Sequence, residues 1–263
     1  GHLSLVREGL RERKTLRHIA PTLVWPLSLL LPVYRGDPRP AWKIRMGLWL
    51  YALMAFGDSL RSSRAVSAQR AHELEPRLRH DGLRAAGVYT DCEMDDARLC
   101  LANILQAVDE GAVCCNYMRL EAFITADHRI CGGIGLDLMT GRSHEIQARV
   151  VVNATGPWGD RVRRVSDSTA SARLAPTKGV HLLLPRLTQH GLFVQARSDG
   201  RMLFLLPWGE STLVGTTESA LQGSLETLHA SREDVGYLLE EINGVLPEAG
   251  IDERDIVATF AGA

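Results

Sequence analysis

ValValValAsnAlaThrGlyProTrp, residues 150–158, joins an expected strand to a tight turn and the start of a helix. Three consecutive β-branched residues favour a buried strand. The small, tight AlaThrGlyPro turn (154–157) follows, and the helix opens over 158–162. Gly156 has no side chain, so backbone N–H groups there can approach a ligand closely. At the carboxyl end of a strand in an α/β sheet, such a ligand is often a nucleotide pyrophosphate. A plain strand-to-helix connection would use the same residues, and local chemistry leaves both readings open.

Working outward, Leu3, Val6, Leu10, Leu16 and Ile19 recur among arginines, which predicts an amphipathic helix over 3–19. Pro26 and Pro32 interrupt the apolar run 23–34, so 21–40 is expected to be a proline-rich loop, not a long helix or membrane span. An apolar helix is expected over about 41–56, too short to cross a bilayer. Residues 65–74 read as a short helix before a polar connection. Asp95 or Asp96 caps a helix running to Val108, with Leu99, Leu101, Ile104, Leu105 and Val108 as its expected buried stripe. Strands are expected near 112–117, 120–126, 129–138 and 145–153, and again near 179–185, 192–197, 202–207 and 211–216. A helix over 231–246 and a strand beginning near Asp255 follow. Helix–strand alternation around 95–165 points to a nucleotide-binding layer, and the strand-rich 170–220 to an antiparallel one.

Composition narrows the field without choosing. With 263 residues, 45% of them hydrophobic, the chain can bury one or two cores. A net charge of −1 gives no general drive toward nucleic acid. Five cysteines without a CxxC pair argue against a disulfide framework or zinc site, and adjacent Cys114 and Cys115 are expected to pack on a strand. The acidic run Asp91, Glu93, Asp95 and Asp96 lacks the central glycine and distal glutamate of a calcium loop, so helix capping is the better reading and no metal is assigned.

Two segments carry candidate chemistry. LysGlyValHis (178–181) begins a strand, setting Lys178 and His181 at its mouth; His181 reads either as a general base or as a core histidine. Thr216 and Thr217 follow another strand beside Gly215 and offer hydroxyls to a polyol or phosphate, or to ordinary turn bonding. ProTrp (207–208) is a candidate pocket wall.

ArgValValValAsnAlaThrGlyProTrp (149–158) is accompanied, in order, by LeuValArgGluGlyLeuArgGluArg (5–13), AlaPro (20–21), ArgProAlaTrpLysIleArgMetGlyLeu (39–48), TyrThrAspCysGluMetAspAspAlaArgLeu (89–99), LysGlyValHis (178–181), LeuProTrp (206–208) and ValGlyThrThrGlu (214–218). Together these resemble the FAD-dependent glycerol-3-phosphate dehydrogenases of the D-amino-acid-oxidase-like flavoprotein superfamily. The resemblance implies a mixed α/β (α+β) fold, with part of an FAD-binding Rossmann-like domain interleaved with an antiparallel-sheet substrate domain. It implies a helical linking segment over 1–85, FAD-binding structure over 86–165 and substrate-domain structure over 166–263. It places FAD against Asn153, Ala154, Thr155, Gly156 and Trp158, makes His181 the base and sets Lys178, Thr216 and Thr217 near substrate. The implied partners are glycerol 3-phosphate and a quinone, without nucleic acid, in the cytoplasm at or near the inner membrane surface. Peripheral membrane contact and a homodimer stay open, as do an oxygen-using oxidase and a non-catalytic scaffold. The chain departs from the pattern in having Glu218 where the family usually has aspartate. It also has no GxGxxG, and both of its ends are expected to be cut.

Overall fold

Residues 24–34, expected to be a loop, form an eleven-residue strand. The computed structural model describes residues 3–55, 60, 63–221 and 223–263. In chain order the first elements are α1 (Leu3–Ile19), β1 (Val24–Tyr34), α2 (Ala41–Met54), β2 (Ser63–Ser67), α3 (Ala68–Leu74), β3 (Leu83–Met94) and α4 (Asp96–Asp109). Next come β4 (Met118–Ala126), β5 (Arg129–Asp137), β6 (Ser143–Gln147), α5 (Gly159–Ser166) and β7 (Thr177–Pro185). The chain finishes with β8 (Gly191–Gln195), β9 (Met202–Trp208), β10 (Ser211–Gly215), β11 (Ser219–Ala220), α6 (Arg232–Val245) and β12 (Ala258–Gly262). The fold is mixed α/β.

The chain forms two compact units, one of residues 1–101, 179–218 and 229–262, the other of 102–178, 219–228 and 263. The first unit is built on a mixed sheet ordered β7-β10-β9-β8-β1-β3-β2, with β12 on the free side of β7. Neighbours are antiparallel except β1 and β8, which run parallel where Leu29 and Leu30 meet Gly191 and Leu192. Pro26 and Pro32 fit this strand because β8 reaches only those two residues, so neither proline forfeits a ladder bond on that side. Val180, Leu182 and Leu184 of β7 alternate into a core shared with Leu192, Leu203, Leu205 and Val214, under Leu238 and Ile242 of α6. Fully burying each leucine contributes about 1.5–3 kcal/mol. α6 starts at a capping box in which Ser231 and Asp234 serve each other's backbone N–H. The segment 1–85, expected to be helical, thus carries β1, β2 and the start of β3, and 65–74 divides between β2 and α3.

The second unit contains the antiparallel sheet β4-β5-β6. Asp127 and His128, both at positive φ, make the expected β4–β5 turn. The glycines of CysGlyGlyIleGly lie inside β5, where a Cβ on Gly133 or Gly135 would strike Leu120 or Met118. They are packing glycines. Three expectations fail in this region. Residues 112–117 form no strand, and Cys114 and Cys115 are exposed. Residues 148–155 are irregular, with Val150 and Val152 more than 70% exposed. Leu101, Ile104, Leu105 and Val108 of α4 are exposed as well. The common cause is that β-propensity and helical periodicity require a packing partner, and the described residues supply none there. Asp95 caps α4 as expected, accepting from the Arg98 N–H at 3.0 Å.

Candidate active site

His181 is the middle residue of β7, flanked in register by Gly215 of β10 and Phe260 of β12. Because cross-strand partners share a face, the registers continue this row through Phe204 on β9 and Phe193 on β8. Phe193 and Phe204 stack with centroids 4.4 Å apart. Val180 and Leu182 point the opposite way into the core, so this row is the sheet's open side: His181 is half-buried and Phe260 is about half exposed. Burial alone pushes the His181 imidazole below the ordinary 6.5, favouring the neutral form that can accept a proton.

The backbone beside His181 is clamped. Thr217 N–H donates to the Val180 carbonyl at 3.3 Å, and Val180 N–H donates to Thr217 Oγ1 at 3.0 Å. Thr217 is only 5% exposed, so it braces the strand from within. Thr216 is half-buried and its hydroxyl donates to the Thr217 carbonyl at 2.9 Å. Arg201 donates to the Glu218 carbonyl, using that residue's main chain while its side chain stays exposed. Trp208 does not wall this site. It pairs with Ser211, at the other end of β10 from Gly215, roughly 13 Å away at strand spacing.

The remaining candidates lie in the second unit. Lys178 is half-buried opposite Ser219 of β11. Asn153 folds its turn onto α5: its Nδ2 donates to the Gly159 carbonyl at 3.0 Å, and its Oδ1 accepts from Thr155 N and Oγ1. The Asn153 and Thr155 side chains therefore make the turn, and all of residues 153–156 are exposed. Gly156 has a φ of 55°, and a Cβ there would meet nothing within 4 Å. That bare backbone fits close approach by a flat or anionic cofactor. Trp158 lines a cavity of about 320 Å³ with Arg161, Arg164, Leu174 and Glu226. Sequence reading missed Asp160, whose carboxylate accepts from Leu174 N, Arg173 N and the Arg163 guanidinium. These bonds, the Leu174 amide first, hold it below the usual carboxylate range. Asp at the start of a charged helix was the available signal.

Residues 2–263 match the model of the FAD dependent oxidoreductase family, and the chain belongs to that family. It is 35% identical over 269 residues to the α-glycerophosphate oxidase of Streptococcus pneumoniae serotype 4, covering 99% of this chain and 44% of that protein. It is 36% identical over 268 residues to the human mitochondrial glycerol-3-phosphate dehydrogenase, covering 98% and 36%. The structure of the Bacillus halodurans glycerol-3-phosphate dehydrogenase complexed with FAD superposes with a TM-score of 0.84 at 30% identity, covering 98% of this chain and 47% of that one. The chain spans less than half the length of these relatives.

Proposed function

We propose that the protein oxidises sn-glycerol 3-phosphate to dihydroxyacetone phosphate, passing electrons to a quinone. The reading rests on likeness along nearly the whole chain to relatives bearing these names. The observation that carries it is His181, half-buried on the open side of the sheet with its pKa lowered by burial. Bound FAD supplies the hydride acceptor. His181 accepts the C2 hydroxyl proton as the C2 hydride departs. Thr216 and Lys178 hold substrate oxygens, and Thr217 fixes the strand under them. Ala154 and Gly156 give the cofactor open main chain, with Asn153 and Thr155 shaping the turn and Trp158 beside it. In this reading the second unit contributes to the FAD-binding layer and the first to the substrate layer.

Replacing His181 with Ala in the FAD-loaded protein should reduce turnover by roughly 10²–10⁴-fold with flavin content unchanged. A variant with wild-type kcat would return His181 to a packing role.

Quinone as acceptor, and contact with a membrane surface, are supported by α2. Its inner residues Ile44 and Leu48 close over Gly87 of β3, yet Trp42, Met46, Trp49 and Leu53 on the outer side are each more than half exposed. Arg39, Lys43 and Arg45 lie at or just before this helix, which contains no acidic residue. Tryptophans with a basic fringe suit the headgroup layer. None of the described helices is long and apolar enough to cross a membrane. Oxygen as acceptor is the second reading, favoured by likeness to the streptococcal oxidase. Anaerobic turnover with a soluble quinone, set against peroxide formation in air, separates the two.

A further inference from the structure

We propose that Gly215 is a positioning residue for His181: by leaving the sheet's open face bare at its own place in the row, it fixes where the imidazole lies. This rests on His181 being the base. The two residues are register partners on β10 and β7. A Cβ built on Gly215 would lie 2.8 Å from both Cγ and Nε2 of the His181 ring, and closer still to Cδ2. Real Cβ atoms do not make such contacts, so the ring occupies the volume that any other residue's side chain would fill. Gly215 is itself buried, the last residue of its strand, and stands between Phe204 and His181 in the row. Glycine inside a strand weakens it, and one common reason for its presence is the close approach of another group. Here that group is the imidazole.

The surroundings leave the ring little other freedom. Phe260 occupies the register position on the opposite side. The two hydrogen bonds between Thr217 and Val180 pin the main chain immediately before His181, so its Cα cannot drift to relieve a collision. A methyl at position 215 must therefore act on the imidazole, turning it about its side-chain torsions away from the sheet and toward solvent. Gly179 stands in a similar relation to Thr216, whose Oγ1 would lie 2.7 Å from a Cβ at that position. Both glycines thus leave room for a polar side chain, His181 from β7 over Gly215 and Thr216 from just past the end of β10 over Gly179.

The test is Gly215→Ala, His181→Ala and the double variant in the FAD-loaded protein, with ring-proton NMR titration of His181 as a readout independent of turnover. A displacement of about 1 Å in a reacting group costs up to about 100-fold in rate. Gly215→Ala should accordingly lower kcat by roughly 10–100-fold with KM little changed, and move the His181 titration midpoint up toward that of a solvated histidine. In the His181→Ala background the same substitution should cost nothing further, because the group it displaces is gone. If Gly215→Ala fails to fold, the double variant should recover the fold by removing the ring. Wild-type kcat and midpoint in Gly215→Ala, with His181→Ala inactive, would overturn the proposal and leave the base assignment standing. Full turnover in His181→Ala would overturn the base assignment, and the positioning role with it. Additive losses in the double variant, or a double variant that also fails to fold, would overturn it too.

Discussion

At the residue scale, two histidines make stability depend on pH. Burial lowers the His181 pKa below 6.5. His72 is lowered first by burial and then by His80, whose ring stacks on it at 3.6 Å, while Glu248 acts in the opposite sense. The folded protein therefore holds protons at these sites less readily than the unfolded chain does. Their stabilising contribution is complete above 6.5 and is lost as pH falls through the lowered folded-state values. Denaturant unfolding should accordingly show stability declining with pH below 6.5. His181→Leu and His72→Leu should each flatten that decline, and an unchanged slope in both would contradict the assignment. LysGlyValHis was legible as a candidate because its residue types and place at a strand start are local properties. The part played by Gly215 was not legible, since it depends on which residue of a strand some thirty positions away lies opposite. Thr217 misled for a related reason: its hydroxyl could be read from sequence, but its inward orientation and its bond to Val180 could not.

At the scale of elements, the periodic ones came out as read: α1, α2 and α6, and β7 to β10, sit close to their expected places. α1, α6 and the strands carry their period in their own side chains, and α2 was legible as an apolar run of helix length. β1 was missed because two prolines ordinarily argue against a strand, and what admits them here is the short reach of β8. Val150–Val152 failed in the opposite direction, having strand-forming residues without a strand beside them. α2 is apolar on both sides and covered on only one. If its outer side meets lipid, Trp42→Glu with Trp49→Glu should abolish sedimentation with anionic vesicles while leaving the circular dichroism spectrum unchanged. Equal sedimentation of the variant and the parent would remove α2 from any membrane contact.

At the scale of the whole molecule, the family was legible because its signature blocks are spread along nearly the entire sequence. The interleaving of two layers was legible with it, but the bounds of the units were not, because the units draw on separated segments and exchange the chain within β7. Of the features expected to hold FAD, this chain carries the Ala154–Gly156 turn but no GxGxxG. Titrated with FAD on its own, it should bind weakly, and stoichiometric sub-micromolar binding by flavin fluorescence would show that its residues suffice. The parallel pairing of Leu29 with Gly191 has a further consequence, for synthesis. At ribosomal speeds of about 5–20 residues per second, roughly 10–30 seconds separate the emergence of these two residues. β3 can join β1 early, but the other edge of β1 stays bare for that interval. During it a nascent chain can pair that edge with a neighbour on the same message, so yield on expression should be limited by how well chaperones shield residues 24–34.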